Sequence, residues 1–169
     1  MNKVLIIDTS ILCVWLRVPN KETCGPDSDR WYYENVNAKI TSELLASTTF
    51  VLPLASIIET GNHIAQSPGN RFTLAETFAD LIRKTANNEN PWAAFTVQSD
   101  LWSAEKLNAL ADNWPILAAS KLSLGDATIK DVAEYYAEQE STVEIFTGDQ
   151  GLKAYEPIVK PAKIPRRRK

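Results

Sequence analysis

Lys3-Val4-Leu5-Ile6-Ile7-Asp8-Thr9-Ser10-Ile11-Leu12 opens the chain with a short apolar run that ends abruptly on an acid and two hydroxyls. A run this short and this apolar reads as a buried strand, because a helix needs more length to cover its sides. Ser10 to Arg17 then starts a helix, with Thr9 or Ser10 as its cap. The same alternation recurs along the chain. Thr49 to Leu54 reads as a second strand, with a helix from about Ser56. Asp126 to Gln139 carries Ile129, Val132, Ala133, Tyr136 and Ala137 on one helical face, and Val143 to Thr147 follows as another buried strand. Strands alternating with helices predict a three-layer α/β/α fold with a central, mostly parallel sheet covered on both faces.

The remaining segments fill in around that frame. Pro19 to Ser28 is a loop, rich in turn-forming residues. From Asp29 to about Ala46, Tyr33, Val36, Ile40 and Leu44 keep helical spacing. Ser67-Pro68-Gly69-Asn70 is a turn, and Phe72, Ala75, Phe78, Ala79 and Ile82 form the stripe of a further helix. Phe95 to Gln98 reads as a short strand. Helical patterns follow at Ala104 to Leu110 and Ile116 to Lys121, and Leu152 to Tyr155 is at most one helical turn.

Four acids stand directly after these strands or at helix starts: Asp8, Glu59, Asp126 and Asp149. In an open α/β sheet the carboxyl ends of the strands form the crevice where ligands bind. Carboxylates converging there repel one another unless a divalent cation sits between them, and an all-oxygen set suits Mg²⁺ or Mn²⁺. Zinc, which takes nitrogen and sulfur ligands, is not expected. Each acid also has a local reading. Asp8 fits a helix cap before Ser10, and Ser56-x-x-Glu59 fits a capping box. Asp126 fits a cap after Gly125, and Asp149 fits the turn Gly148-Asp149-Gln150-Gly151. Four independent caps have no reason to share one edge of the sheet.

Composition limits the alternatives. With 169 residues, 44% hydrophobic and 23% charged, the chain suits one domain, expected over residues 1–159. No apolar run approaches the roughly 20 residues of a membrane span, and Asp8 interrupts anything resembling a secretory leader. Cys13 and Cys24 lack metal-ligand spacing and read as free thiols of a reducing cytoplasm. Of 18 basic side chains, six lie in residues 160–169, leaving 12 against 21 acids in the rest. That acidic body is unlike a duplex-binding domain, which carries a broad basic face. The tail is expected to be solvated and disordered, with contact to nucleic-acid phosphates as the alternative.

Ile7-Asp8-Thr9-Ser10-Ile11-Leu12, Glu59 after the second strand, Gly125-Asp126-Ala127 and Thr147-Gly148-Asp149 together resemble the PIN domain, over roughly Met1 to Val159. That family consists of metal-dependent ribonucleases, and its small bacterial members are commonly VapC-type toxins of toxin–antitoxin pairs. The resemblance implies that Asp8, Glu59, Asp126 and Asp149 are the acidic quartet that holds Mg²⁺ or Mn²⁺, with Ser10 and Thr147 supporting. It further implies an RNA substrate, and for a toxin an antitoxin protein; pairing with a second copy stays open. Extra length at Val18 to Arg30 and Asn87 to Trp114 departs from a minimal toxin.

Two other readings remain. Gly125-Asp126 followed by Asp131 is similar to the late acidic motif of haloacid-dehalogenase-like phosphatases, but Ser10 stands where those need a second aspartate as general acid. A non-catalytic module binding RNA or protein is the other. His63, the single histidine, falls on the same helical face as Glu59 and reads as a helix-surface or half-buried residue. Trp15, Arg17 and Lys21 fall near the expected mouth, and Arg30-Trp31-Tyr32-Tyr33 has the composition of a base-stacking surface. Core packing is nevertheless the preferred reading of Trp31, Tyr32 and Tyr33, and Trp92, Trp102 and Trp114 read as core or interface anchors. Lys121, shortly before Asp126, reads as a solvated lysine.

Overall fold

The computed structural model describes residues 2–158, so the tail expected at 160–169 lies outside the described residues. Its framework is a parallel sheet of three strands, β1 (Lys3–Ile7), β2 (Thr49–Val51) and β3 (Thr142–Phe146), in the order β2-β1-β3. β1 lies in the middle, with Leu5 opposite Phe50 on one side and Glu144 on the other. The side chains of β1 alternate between two cores, as the two-residue strand period requires. Leu5 and Ile7 join α1 (Thr9–Trp15), α2 (Tyr33–Leu45), α3 (Leu54–Gln66) and α4 (Arg71–Ala86). Val4 and Ile6 pack with α6 (Leu124–Glu138) on the opposite face. Helices therefore cover both faces, which explains why β1 is apolar from Val4 to Ile7.

Several boundaries differ from the sequence reading, each for a local reason. The cap of α1 is Asp8, not Thr9 or Ser10, because Asp8 Oδ2 accepts the Ser10 amide at 3.3 Å. α3 begins at Leu54, so Ser56 lies inside it, fully buried, and the expected capping box with Glu59 does not form. α2 starts at Tyr33, after Cys24 and Trp31 pair as an antiparallel bridge that holds residues 30–32 extended. No strand forms at Phe95 to Gln98; Phe95–Trp102 is a 3-10 segment kinked at Gln98. The strand-like pairing lies earlier, where the Phe50 amide donates to Pro91 O at 2.8 Å and the Ala93 amide to Phe50 O at 2.8 Å. This contact occupies the outer edge of β2, so residues 95–98 find no strand to pair with. The two helical patterns after Ala104 are one helix, α5 (Ala104–Ala119), which runs through Pro115. Ala111, whose carbonyl loses its helical donor to that proline, is exposed to solvent.

At the amino-terminal end of the sheet Lys3 contacts Glu43 and Glu144, and Lys39 reaches Glu144 at 2.9 Å and Glu43 at 3.3 Å. Thr48 Oγ1 adds a donor to Glu43 at 2.6 Å. Among the described residues no helix is long and apolar enough to cross a membrane.

Candidate functional site

The opposite, carboxyl-terminal edge of the sheet is acidic. Asp8 ends β1, and its carboxylate is nearly buried at 5% exposure. One oxygen, Oδ2, takes the Ser10 amide, the Ser10 hydroxyl at 2.8 Å and the Thr147 hydroxyl at 2.8 Å. Ser10 and Thr147 thus clamp Asp8 from its own helix and from the end of β3. The clamp continues through backbone: the Gly148 amide donates to Ser10 Oγ at 3.0 Å, and the Asp149 amide to Thr147 Oγ1 at 2.9 Å. Strand β3 delivers this turn beside Asp8 because the ladder extends one step beyond β1, through the Asp8 amide to Phe146 O at 3.0 Å.

Asp149 is exposed and caps the short helix α7 (Gln150–Lys153), with Oδ1 accepting from the amides of Gly151 at 2.7 Å and Leu152 at 3.3 Å. Asp126 lies in the first turn of α6, whose cap is Ser123. Ser123 Oγ takes the Asp126 amide at 3.0 Å and donates to Asp126 Oδ2 at 2.8 Å. Burial pushes the Asp126 carboxyl above its ordinary range; the Ser123 hydrogen bond opposes this, and the charges of Asp8 and Asp149 add to it. That mutual repulsion brings Asp126 into one electrostatic neighbourhood with the ends of β1 and β3.

Glu59 reaches the same edge from α3. Thr9 Oγ1 donates to Glu59 Oε2 at 3.1 Å. The other oxygen, Oε1, rests against Gly125: a methyl group built on that glycine would stand 2.5 Å from it. Gly148 has equally little room, since a Cβ there would come within 2.7 Å of Cys24 Sγ and of the Gly25 amide nitrogen. The loop around Cys24 therefore walls the site on the side of the Thr147-Gly148-Asp149 turn.

The four acids of the sequence reading are neighbours, linked through Thr147, Thr9 and Gly125. Each ties one oxygen to a donor and leaves the other (Asp8 Oδ1, Glu59 Oε1, Asp126 Oδ1, Asp149 Oδ2) without a donor among the described residues. None of them forms an ion pair with Lys, Arg or His among the described residues, whereas Glu43 and Glu144 are each paired twice. By type and charge this donor set fits a hard divalent cation. As they stand, the side chains are held by separate local hydrogen bonds, and no three Asp, Glu, His or Cys groups among the described residues are gathered as ligands of one ion.

Other candidates divide. His63 is half-buried on α3, one turn beyond Glu59. Trp31 is spent on packing, edge-on to Phe146 at 4.9 Å between ring centres. Trp15 stacks on Trp92 at 6.5 Å, and Trp114 Nε1 donates to Leu122 O at 3.2 Å. The Arg17 guanidinium lies over the Tyr33 ring at 3.8 Å. Lys121 is exposed. Both cysteines are free. Burial pushes the Cys13 thiol up to about 11, so it is a poor nucleophile. Sequence reasoning missed three contributors: Thr9, Gly125 and the Cys24 loop. Thr9 and Gly125 left a trace, inside the Asp8-Thr9-Ser10 and Gly125-Asp126-Ala127 motifs, without a role assigned to either.

Two grooves lie elsewhere. One of about 580 Å³ runs between α5 and α6, past Lys106, Lys130, Asp131, Glu134 and Tyr135. An apolar one of about 400 Å³ separates α3 from α4, lined by Ile64, Phe72, Phe78 and Ile82. No family model, no curated protein and no solved structure matches the chain.

Proposed function

We propose that this chain is a metal-dependent ribonuclease of the PIN-domain kind, hydrolysing RNA phosphodiesters at the acidic edge. The observation that carries this reading is the convergence of Asp8, Glu59, Asp126 and Asp149, from four separate segments, with no basic partner among the described residues. Mutually repelling carboxylates with no basic partner among the described residues would be offset by a cation from outside the chain.

Asp8, Glu59, Asp126 and Asp149 would hold Mg²⁺ or Mn²⁺. When bound, such a cation polarises the scissile phosphate and lowers the pKa of a water so that it attacks phosphorus. The chain's own part is orientation. Ser10 and Thr147 fix Asp8 by its inner oxygen, Ser123 fixes Asp126, and the α7 amides fix Asp149. The Asp126 carboxyl is raised by burial and by its acidic neighbours, so a cation held among these acids would relieve the repulsion on it. His63 is not needed as a base. The products would carry a 5′-phosphate and a 3′-hydroxyl. In a toxin setting an antitoxin would cover this edge, with Arg as the natural partner for spare carboxylate oxygens.

Incubation of the protein with single-stranded RNA and Mn²⁺, with and without EDTA, tests the reading. EDTA-sensitive release of 5′-phosphorylated fragments supports it, and intact RNA with every divalent metal rejects it. A second reading, a non-catalytic module, draws on the capping roles of Asp8 and Asp149 and on the bond from the cap Ser123 to Asp126, which give three of the four acids local work without a metal.

A further inference from the structure

We infer that Thr9 and Gly125 are positioning residues for Glu59, fixing its carboxylate beside Asp126; the inference rests on the metal-site reading above. Glu59 is the one acid of the four with no local hydrogen-bonding role. Asp8 and Asp149 cap the helices that follow them, and Asp126 shares a capping interaction with Ser123. Glu59 sits more than a turn inside α3, and the serine that its sequence pattern pairs it with, Ser56, is buried with a hydroxyl that has no partner among the described residues. Only tertiary contacts define where its carboxylate goes.

Two such contacts are present. From α1, buried Thr9 donates to Oε2 at 3.1 Å, which holds one oxygen and sets the plane of the group. From α6, Gly125 removes the obstacle: a Cβ there would lie 2.5 Å from Oε1 and 3.5 Å from Cδ, with the Ala55 methyl 3.6 Å away. The absence of a side chain at Gly125 is thus the space that Oε1 fills, one residue before Asp126. Gly125 lies in the first turn of a helix and has no left-handed backbone angle to justify a glycine. Glycine is less favoured than alanine in a helix because it loses more conformational freedom on folding. The fit to Glu59 accounts for a residue that α6 itself disfavours.

The two roles make opposite demands, which provides the test. In Gly125→Ala the added methyl meets the far end of a flexible side chain, so the fold keeps its thermal midpoint while the Glu59 carboxylate swings away. Thr9→Val removes the donor at constant shape, and Thr9→Ser keeps it. Mn²⁺ titrations of RNA cleavage should show the half-saturating Mn²⁺ rising at least roughly tenfold in Gly125→Ala and Thr9→Val, the size of effect seen when a ligand loses its supporting contact. Thr9→Ser should recover most of the loss. Unchanged Mn²⁺ dependence in both Gly125→Ala and Thr9→Val overturns the inference. Should the wild-type protein cleave no RNA, the nuclease reading fails separately. Crystal structures of the metal-free variants then decide the positioning alone: a Glu59 carboxylate displaced from its wild-type place in Gly125→Ala and Thr9→Val upholds it, and an unmoved carboxylate in both rejects it.

Discussion

The Thr147 hydroxyl donates to Asp8 Oδ2 at 2.8 Å, joining residues 139 positions apart at the ends of neighbouring parallel strands. Both groups are almost fully buried. The bond makes the Asp8 carboxylate part of the sheet's end rather than a free side chain, and it ties the last strand to the first.

Thr147→Val should therefore cost stability as well as function. A buried hydrogen bond to a charged acceptor contributes about 1.5 kcal/mol or more, although Ser10 continues to serve the same oxygen. Urea unfolding should report that loss. RNA cleavage should fall further than the folded fraction does, because Asp8 loses one side of its clamp.

Asp126→Asn should behave in the opposite sense. The carboxyl of Asp126 is raised by burial first, and by Asp8 and Asp149 after that. A raised carboxyl contributes stability below its unfolded pKa that is lost as pH rises through its folded pKa, so the ionised group works against the fold at neutral pH. Removing it should leave the urea midpoint at pH 7 equal or higher and should abolish cleavage. A midpoint that drops sharply would mean that the charge is paired.

The charge cluster at the other end of the sheet gives a contrasting pH dependence. Burial raises Glu43 and Glu144, but hydrogen bonds from Lys3, with Thr48 at Glu43 and Lys39 at Glu144, outweigh it and hold both carboxyls below the ordinary range. Their contribution is present above the usual carboxylate pKa and is lost as pH falls through the lowered values. Acid unfolding of Glu144→Gln should accordingly be less steep than that of wild type. At pH 7 the variant should lose about 1–3 kcal/mol, the cost of leaving a hydrogen-bonding group without its partner, with RNA cleavage unchanged.

Much of this was legible in the sequence because it depends on local pattern. The run Val4–Ile7 is apolar throughout, since a central parallel strand buries both faces, while Val143–Phe146 on the edge strand is broken only by Glu144; the acids that follow both runs mark the strand ends. Tertiary choices were hidden. Ser56-x-x-Glu59 has the spacing of a capping box, yet α3 starts at Leu54 and Glu59 turns to Thr9 instead. Phe95 to Gln98 has strand-like composition, but the backbone at residues 91–93 already occupies the edge of β2, and Gln98 is buried against the Tyr136 hydroxyl at 3.2 Å. The meaning of Gly125 depends on where a carboxylate from another helix lies, which no local pattern encodes.

Divalent metal should stabilise the fold in proportion to its occupancy. Mn²⁺ at a hundred times its dissociation constant adds about 2.7 kcal/mol to a protein that binds it only when folded. Thermal unfolding with and without Mn²⁺ should show an upward shift in wild type and little shift in Asp126→Asn. An equal shift in both proteins would locate the metal elsewhere.

The most direct measurement is anomalous scattering from crystals soaked in Mn²⁺. A single strong peak is expected at the carboxyl-terminal edge of the sheet, with oxygens of at least three of Asp8, Glu59, Asp126 and Asp149 at roughly 2.0–2.3 Å. Crystals that show no peak there, or a peak only in the groove between α5 and α6, would contradict a shared cation at these four residues.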